Sequence, residues 1–514
     1  MAKYLVGIDV GTTGAKAMVV DLTGSVVGSG YREYPCIYPK QNWVEQDAEL
    51  VIAKTFEACK DAVENSKVNP GDIASVGFST QRATCALIGE NNEVLGGNFY
   101  GWQDNRAASE IEYITSLIPA DELYAIAGMP VTPTFSFEKI IWVKRNDPEK
   151  YKKAKRIVMM PDYVMYRFGT DDFYCEMTNA CCSGMIDVKK MQWSDKIIDT
   201  FGIDRKLLPP LVKPGVGIGK VSAEAAKLTG LKEGTLLSTG TGDQQCAALG
   251  AGVVEDGYAS MTLGTAGLLV VGAKELDLEK SPGLMVPSSG ALGLYELEGI
   301  QLGAASSYRW IRDVMAGVEK ELAAEIDKDP YDLMDYHLQK SPAGANGVVF
   351  MPFLIGSGYP YWNSEAKGLF AGLKFSNTKS DMIRSVMEGI TMESKDMYET
   401  MKSSGVVIKS LAITGGATKS ATWRQIIADM FNVEIKRLKV SDATILGAAV
   451  LAGVGAGLFA SAEEGVAQLV HFTDKIQPIP ENVAKYNAIY AVYKNIYNAC
   501  NEKGIYTQLS ALCD

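Results

Sequence analysis

The alternation of apolar and polar positions predicts a mixed α/β chain in which one order of elements occurs twice. Three apolar runs within residues 3–34, separated by Gly-containing turns, are typical of a β-meander. A second meander begins at Tyr258, and helical periodicity dominates from Ser380 onward. Residues 3–78 are predicted to form the strands Tyr4–Val10, Ala15–Asp21, Ser25–Tyr34 and Ile73–Phe78. They are also predicted to form a helix from Ala48 to about Asn65 that Asp47 caps.

Chain length and one polar break predict two domains. A chain of 514 residues exceeds what a single core usually supports, and residues 254–257 interrupt the apolar pattern. We predict an N-terminal domain of residues 1–253 and a C-terminal domain of residues 254–514 that ends in a helical tail. The similar order of elements indicates a weak internal duplication, and a ligand commonly binds between two such halves.

Composition narrows the function classes. A hydrophobic fraction of 47% and a charged fraction of 22% are typical of a soluble globular protein. The net charge of -11 and the lack of a basic stripe argue against a nucleic-acid partner. The nine cysteines form no CxxC pair and the first residues resemble no signal peptide, so we predict a reducing, cytoplasmic location and no zinc site. Adjacent Cys181 and Cys182 are predicted to be small buried residues.

One uncharged stretch is long enough to span a bilayer. It runs for twenty residues from Ala443 to Ala462, but it contains glycines at positions 447, 453, 455 and 457 and is flanked by acids. We predict a buried helix from Ala443 to about Ala452, a glycine-rich loop after it, and no membrane partner.

Two Gly-Thr turns indicate where the chemistry lies. Gly11-Thr12-Thr13 follows the first strand of the first meander, and Gly264-Thr265 follows the first strand of the second. Backbone N–H groups and threonine hydroxyls at such turns suit phosphate oxygens, so we predict a grip for a polyphosphate. A P-loop is disfavoured because Gly215–Lys220 is followed by Val221 instead of a hydroxyl residue, and no convincing GxGxxG follows a strand.

Phosphoryl transfer also needs a metal ion and benefits from a general base. The chain has only two histidines, neither near a motif, so a carboxylate has to act as the base. Asp243 lies in a Gly-Thr-Gly-Asp turn that suits this role, although a turn or N-cap aspartate is the common alternative. Asp9 ends a strand where it could hold Mg²⁺ directly or through water, or simply serve the turn. Lys16 could neutralise phosphate charge or lie on the surface.

Four segments in order resemble the FGGY carbohydrate kinase family, within the superfamily of actin-like, hexokinase-like and Hsp70-like ATPases. They are Gly7–Lys16, Phe135–Trp142, Gly242–Gln245 and Gly415–Asp429, the last followed by Gly447–Ala449, and the similarity extends from residue 3 to about residue 460. The resemblance implies an α/β fold of two actin-like (ribonuclease H-like) domains, each a mixed β-sheet flanked by helices, around a central cleft. It also implies ATP and Mg²⁺ as cofactors and a hydroxyl group of a sugar or polyol as the phosphoryl acceptor.

The resemblance also assigns residues to these roles. Asp243 falls on the catalytic base and Asp9 on the magnesium-associated aspartate, and we predict both carboxylates at the metal ion. The predicted nucleotide-binding residues are Gly11, Thr12, Thr13, Lys16, Gly264, Thr265, Gly303, Gly415 and Gly416. The predicted acceptor-binding residues are Arg82, Ala83, Trp102, Asp104, Thr134, Asp243 and Gln244.

The identity of the acceptor depends on residues 82–83 and 134. Glycerol kinases of the family carry an Arg-Glu pair and a tyrosine there, whereas this chain has Arg82-Ala83 and Thr134. Two polar contacts to glycerol are therefore absent, and the smaller side chains leave room for a longer acceptor. Xylulose kinases usually carry Met-His at residues 82–83, but the second half, Leu411 to Gly457, resembles ketose and autoinducer kinases. We expect a ketose, with glycerol, a longer polyol or an autoinducer as alternatives.

Two alternatives of another class stay open: a sugar-sensing regulator without turnover, and an actin- or Hsp70-like ATPase that acts on protein partners. Only a short helical tail follows the last motif, which leaves little room for a peptide-binding domain. Both key aspartates and both Gly-Thr turns are present, which favours an active kinase.

Two of the predicted acceptor residues have structural alternatives. Trp102 could stack on a sugar or belong to the core, and Asp104 could pair with Arg106. A homodimer is the common default for oligomeric state.

Overall fold

The computed structural model describes residues 3–512 apart from 276, 281–282, 288–291 and 404. The strands are β1 (Tyr4–Val10), β2 (Gly14–Asp21), β3 (Val26–Glu33), β4 (Glu45–Asp47), β5 (Ile73–Thr80), β6 (Cys85–Ile88), β7 (Asn98–Tyr100), β8 (Arg156–Met159), β9 (Cys175–Glu176), β10 (Ile186–Asp187), β11 (Gln192–Trp193), β12 (Leu211–Val212), β13 (Gly217–Lys220), β14 (Leu236–Gly242), β15 (Tyr258–Leu263), β16 (Gly267–Ala273), β17 (Tyr295–Gln301), β18 (Val349–Met351), β19 (Leu369–Ala371), β20 (Ser410–Thr414), β21 (Ile435–Leu438) and β22 (Phe472–Ile476). The helices are α1 (Ala48–Ser66), α2 (Ile111–Leu117), α3 (Ala120–Ala127), α4 (Ser136–Asn146), α5 (Pro148–Lys153), α6 (Met160–Phe168), α7 (Met177–Cys181), α8 (Asp195–Thr200), α9 (Ala223–Thr229), α10 (Asp243–Gly250), α11 (Ala305–Met315), α12 (Gly317–Glu325), α13 (Pro330–Lys340), α14 (Lys379–Ser403), α15 (Ala421–Phe431), α16 (Ala443–Gly455), α17 (Ala462–Leu469), α18 (Pro480–Glu502) and α19 (Ile505–Ser510).

The first large sheet is built on the N-terminal meander. Its strand order is β13-β14-β5-β1-β2-β3, with β1, β5 and β14 parallel and the other neighbours antiparallel. The central strands are apolar on both faces: Leu5 and Val6, which point to opposite faces of β1, have no exposed surface. Helix α1 approaches β3 closely, because an added Cβ at Gly28 or Gly30 would lie 2.3 or 2.2 Å from a carbonyl oxygen of that helix.

Helix α16 packs against this sheet with backbone close to backbone. An added Cβ at Gly7 of β1 or Gly77 of β5 would lie 2.5 or 2.1 Å from a carbonyl oxygen of α16. Helix α10 crosses α16 just as closely, because a Cβ at Gly250 or Gly447 would lie 1.9 or 2.0 Å from a carbonyl oxygen of the other helix. Helix α16 therefore fixes the position of α10, whose first residue is Asp243.

Gly447→Ala is expected to lower the free energy of unfolding by about 2 kcal/mol, because overpacking at this crossing outweighs the better helix propensity of alanine. Urea unfolding followed by circular dichroism measures the change. Gly317→Ala is the matched control, since Gly317 is also helical and an added Cβ there meets no atom within 4 Å. Equal loss of stability in both variants would contradict the close crossing of α10 and α16.

The second large sheet repeats the arrangement of the first. Its order is β17-β16-β15-β20-β21-β22, with β15, β20 and β21 parallel, β16 antiparallel to β15, and β22 antiparallel to β21. Strand β15 begins at Tyr258 as predicted, and the long helix α14 is buried along most of its length. Both sheets thus combine a meander with parallel strands, in agreement with the predicted duplication. They differ at one edge, where β13 precedes β14 in sequence but β22 follows β21.

The chain forms two compact units, and neither is continuous in sequence. The first consists of Met1–Asp256, Gly272–Leu297 and Asp442–His471, and the second of Gly257–Val271, Glu298–Ser441 and Phe472–Asp514. Over the described ranges, no helix is both long enough and apolar enough to cross a membrane.

The predicted boundaries of the strands and the helix within residues 3–78 agree with the structure within two residues. Asp47 caps α1 as predicted, with its Oδ1 accepting a hydrogen bond from the Leu50 N–H at 2.9 Å. The predicted start of the glycine-rich loop after Ala452 is wrong, because α16 continues to Gly455. A Cβ at Gly453 would lie 2.2 Å from the Phe459 ring, so close packing there overrides the low helix propensity of glycine.

The cysteines behave as small apolar residues. The eight that the structure describes form no disulfide bond, and Cys181 and Cys182 are buried as predicted. Cys513 lies outside the described residues.

Candidate active site

Hydrogen bonds from two distant residues hold the turn between β1 and β2. The Gly11 carbonyl accepts from the Tyr34 hydroxyl at 2.6 Å, and the Thr12 carbonyl accepts from the Gln46 amide at 2.8 Å. With these carbonyl groups engaged, the turn keeps the exposed Thr13 available for a ligand, and its hydroxyl suits phosphate. Sequence reasoning missed Tyr34 and Gln46, because no local pattern links residues so far from the turn.

Asp9 is the half-buried carboxylate beside this turn. Strand pairing places it opposite Lys16 on β2 and Ser79 on β5, and the Ser79 hydroxyl donates to Asp9 Oδ1 at 2.7 Å. Burial, with a smaller contribution from Asp243, raises the pKa of Asp9 to about 7, against the opposing effects of Ser79 and Lys16. A bound cation would favour the ionised form.

The donor set suits a magnesium ion held largely by water. Mg²⁺ typically binds one or two carboxylates and keeps several water molecules. Within the described part of the chain, no group of three or more His, Cys, Asp or Glu side chains could hold a metal ion by itself. Asp9 and Asp243 are thus enough for Mg²⁺ and too few for a structural zinc site.

Lys16, predicted at the phosphates, forms an ion pair in this structure. Its ammonium group lies 2.5 Å from Asp442 Oδ1, and the two side chains are 35% and 31% exposed. Asp442 directly precedes α16, so the pair links β2 to that helix. To bind the phosphates, Lys16 would have to break its ion pair with Asp442 and pair with a phosphate oxygen instead.

Asp243 begins α10, directly after β14 ends at Gly242. Its Oδ1 accepts hydrogen bonds from the Gln244 N–H at 2.7 Å and from Arg82 Nε at 3.0 Å. The Asp243 side chain remains 30% exposed, so a hydroxyl group can approach it. An added Cβ at Gly242 would lie 2.6 Å from the Arg82 side chain, which explains a glycine here. A carboxylate oriented by two donors and open to a ligand has the geometry of a general base.

The end of β14 is anchored by a buried network that sequence reasoning missed. An added Cβ at Gly240 would lie 1.3 Å from the Phe78 carbonyl oxygen, so the two strands are in close contact there. The Gly242 N–H donates to the Thr178 hydroxyl at 3.1 Å, and that hydroxyl donates to Glu176 at 2.6 Å. These contacts fix the backbone that carries Asp243.

The predicted acceptor residues of two segments meet around one buried ammonium group. Ala83 is buried and has a φ of 58°, in the left-handed region that non-glycine residues seldom occupy. The carbonyl groups of Ala83 and Thr134 both accept hydrogen bonds from Lys139. The structure therefore brings residues 82–83 and 134 together.

Trp102 and Asp104 occupy different environments. Trp102 is 38% exposed, and its indole N–H donates to the Thr12 hydroxyl at 2.9 Å, which places it beside the turn. Asp104 has no exposed surface, and its carboxylate accepts from the Val44 N–H at 2.7 Å and pairs with Arg106 at 2.8 Å. The structure thus gives Asp104 the supporting ion pair that the sequence allowed, and a buried carboxylate engaged in this way offers nothing to an acceptor.

In the second unit, the turn between β15 and β16 lines a cavity of about 320 Å³. Gly264 and Thr265 of this turn share the cavity with Gly416, which follows β20. An added Cβ at Gly264 or Gly416 would have no neighbour closer than 3.8 Å, so both glycines leave open space. Gly415, with a φ of 87°, packs against the Leu263 backbone instead.

Gly303 lies directly before the first residues that brace this turn. The Ala304 N–H donates to the Thr265 carbonyl at 3.0 Å, and the Ala305 N–H donates to the Gly264 carbonyl at 2.8 Å.

The lining of this cavity is chemically matched to a nucleotide, because backbone N–H groups suit phosphate, aromatic rings suit a base and carboxylates suit ribose hydroxyls. The lining residues that sequence reasoning missed are Ala305, Tyr308, Arg309, Asp329, Tyr331, Asp332, Asp335, Lys419, Ser420 and Trp423.

Comparisons with known proteins identify the family. Residues 4–250 match the FGGY family of carbohydrate kinases, N-terminal domain, and residues 259–456 match the C-terminal domain. The chain is 29% identical over 495 residues to xylulose kinase of Bacillus subtilis (strain 168), covering 96% of this chain and 97% of that protein. It is 30% identical over 476 residues to glycerol kinase of Thermococcus gammatolerans, covering 90% of this chain and 91% of that protein.

The fold agrees with that assignment. The crystal structure of ligand-bound xylulose kinase from Lactobacillus acidophilus matches with a TM-score of 0.88 at 27% identity, covering 97% of this chain and 98% of that chain. The family predicted from the four sequence segments is therefore confirmed. The chain belongs to the FGGY family of carbohydrate kinases and, with the actin-like ATPase fold of that family, uses ATP to phosphorylate a hydroxyl group of a sugar or polyol.

Proposed function

We propose that this kinase phosphorylates a ketose, with Mg²⁺-bound ATP as the donor. The observation that carries the proposal is Arg82 beside Asp243, with only small side chains at Ala83 and Thr134. Arg82 offers donors to sugar hydroxyls, and the small side chains leave space for an acceptor longer than glycerol. The similarity to xylulose kinases along nearly the whole chain supports the same class of acceptor.

In this proposal Asp243 removes the proton from the acceptor hydroxyl while that oxygen attacks the γ-phosphorus of ATP. The bond between the γ-phosphorus and the bridging oxygen breaks, which leaves ADP and a sugar phosphate. Arg82 and Gln244 orient the acceptor. Asp9 and Asp243 would hold Mg²⁺ directly or through water, and the bound ion supplies charge neutralisation at the phosphates.

The nucleotide is assigned to the two Gly-Thr turns and the cavity of the second unit. Gly264, Thr265, Gly303, Gly415 and Gly416 bind the nucleoside and its phosphates through backbone groups, which glycine allows to approach closely. The turn at residues 11–13, with Lys16, contacts the transferred phosphate. In this proposal residues 1–253 supply the acceptor site, the base and one phosphate-binding turn, and residues 254–514 supply the rest of the nucleotide site.

Acceptor-dependent release of ADP tests the proposal. The assay contains ATP and Mg²⁺ and compares ketopentoses, ketohexoses, polyols, glycerol and gluconate. We expect at least one ketose to give a kcat/KM about 100-fold above that of glycerol, because the two polar contacts that glycerol needs are absent. Reactions without acceptor or with EDTA are the controls, and both should release almost no ADP. A preference for glycerol or gluconate would overturn the ketose assignment.

A further inference from the structure

Lys139 is a buried cation beneath the residues proposed to bind the acceptor. It lies on α4, and none of its surface is exposed to solvent. Its ammonium group donates to the Ala83 carbonyl oxygen at 3.2 Å and to the Thr134 carbonyl oxygen. These carbonyl groups belong to separate segments, one shortly after β5 and the other shortly before α4. One side chain therefore links both segments.

The surroundings of Lys139 disfavour a positive charge. Among the residues that the structure describes, no carboxylate lies within ion-pair distance of its ammonium group. Burial lowers the pKa of Lys139 to about 8, despite the opposing effects of Cys85, Asp104 and Glu138. An apolar side chain of similar volume is usually more favourable at such a position. Packing alone therefore does not explain a lysine here.

The strained backbone of Ala83 suggests a role for the positive charge of Lys139. A φ of 58° is unfavourable for a residue with a Cβ and persists only where the surroundings enforce it. A charge-assisted hydrogen bond to the Ala83 carbonyl stabilises this conformation. Ala83 directly follows Arg82, whose Nε contacts Asp243 at 3.0 Å. The conformation of Ala83 thus also sets the direction from which Arg82 reaches the base.

We propose that Lys139 is a positioning residue that holds the Arg82–Ala83 segment and the Thr134 segment at one spacing, and so determines which acceptor lengths bind. The inference rests on the function proposed above. Lys139 acts through the backbone of the acceptor-binding residues, not through contact with the acceptor. Without its ammonium group the two segments separate, which weakens acceptor binding and leaves nucleotide binding intact.

Lys139→Met tests the inference, because methionine fills a similar volume without a charge. We expect the KM for the best acceptor to rise about tenfold and the preference between ketopentoses and ketohexoses to shrink, with the KM for ATP within about twofold of wild type. Lys144→Met is the matched control: Lys144 lies on the same helix, and its ammonium group also donates to two carbonyl groups, those of Phe201 and Gly202. It should leave all three values unchanged.

An unchanged acceptor KM and an unchanged length preference in Lys139→Met would overturn the inference. So would equal effects of Lys139→Met and Lys144→Met, because these would show a general effect on α4. If the methionine variant does not fold, Lys139→Gln, which lacks the charge and the reach to both carbonyls, is expected to give the same changes. Wild-type protein that releases no ADP with any acceptor would instead contradict the proposed function.

Discussion

Asp243→Asn is expected to lower kcat for acceptor phosphorylation about 1,000-fold while ATP binding stays at the wild-type level. Asparagine has nearly the same shape but cannot take the proton of the acceptor hydroxyl, and general-base catalysis contributes roughly 10²- to 10⁴-fold to rate. The carboxamide oxygen can still accept from the Gln244 N–H, which donates to Asp243 Oδ1 at 2.7 Å. Acceptor-dependent ADP release measures turnover, and isothermal titration calorimetry measures ATP binding.

Asp187→Asn is the control for this experiment. Asp187 lies on β10 of the same unit and pairs with Lys190 at 2.8 Å, outside the candidate site. Its variant should keep wild-type turnover. A kcat of Asp243→Asn within about tenfold of wild type would assign the base to another group, since loss of a true general base costs more than that.

Gly264→Ala and Gly416→Ala are each expected to raise the KM for ATP about tenfold, which corresponds to about 1.4 kcal/mol of binding free energy. Both glycines line the cavity of the second unit, and an added Cβ there meets no protein atom closer than 3.8 Å. The new methyl group therefore occupies ligand space without disturbing the fold. Steady-state kinetics with varied ATP measures the effect, and thermal unfolding checks that stability is unchanged.

Gly317→Ala serves as the control for the cavity variants, because its added Cβ also meets open space but lies outside the lining. Its KM for ATP should match the wild type. If Gly264→Ala and Gly416→Ala also bind ATP like the wild type, the nucleotide does not occupy this cavity. A rise in the acceptor KM without a rise in the ATP KM would point to the same conclusion.

The local parts of the fold were accessible from the sequence. Alternating apolar residues predicted the meander of β1 to β3, and Asp47 is a side-chain cap that acts within one helical turn. The Gly-Thr turns were visible because the required residue types are adjacent in sequence. Gly264, Thr265 and Gly416 line one cavity although about 150 residues separate the first from the last, and only the family resemblance linked them beforehand.

The long-range parts of the site were not accessible in this way. Tyr34 and Gln46 hold the first turn, and Thr178 holds the backbone before Asp243, but these contacts depend on how distant segments fold together. The sequence left two roles open for Asp104: contact with the acceptor, or an ion pair with Arg106. The structure shows the ion pair and the burial of the Asp104 carboxylate, which the sequence alone could not predict. Apolar periodicity indicates which face of a helix or strand is buried, but it does not indicate which other element packs against that face.

The late position of α16 in the chain has a consequence for biosynthesis. The strands and helices of the first unit emerge from the ribosome early, but the surface around Gly7 and Gly77 stays uncovered until α16 has been translated. A nascent chain that stops before residue 443 already contains every predicted acceptor residue and Asp243. It lacks the helix that fixes α10, so we expect chains released before that point to aggregate and to show no kinase activity.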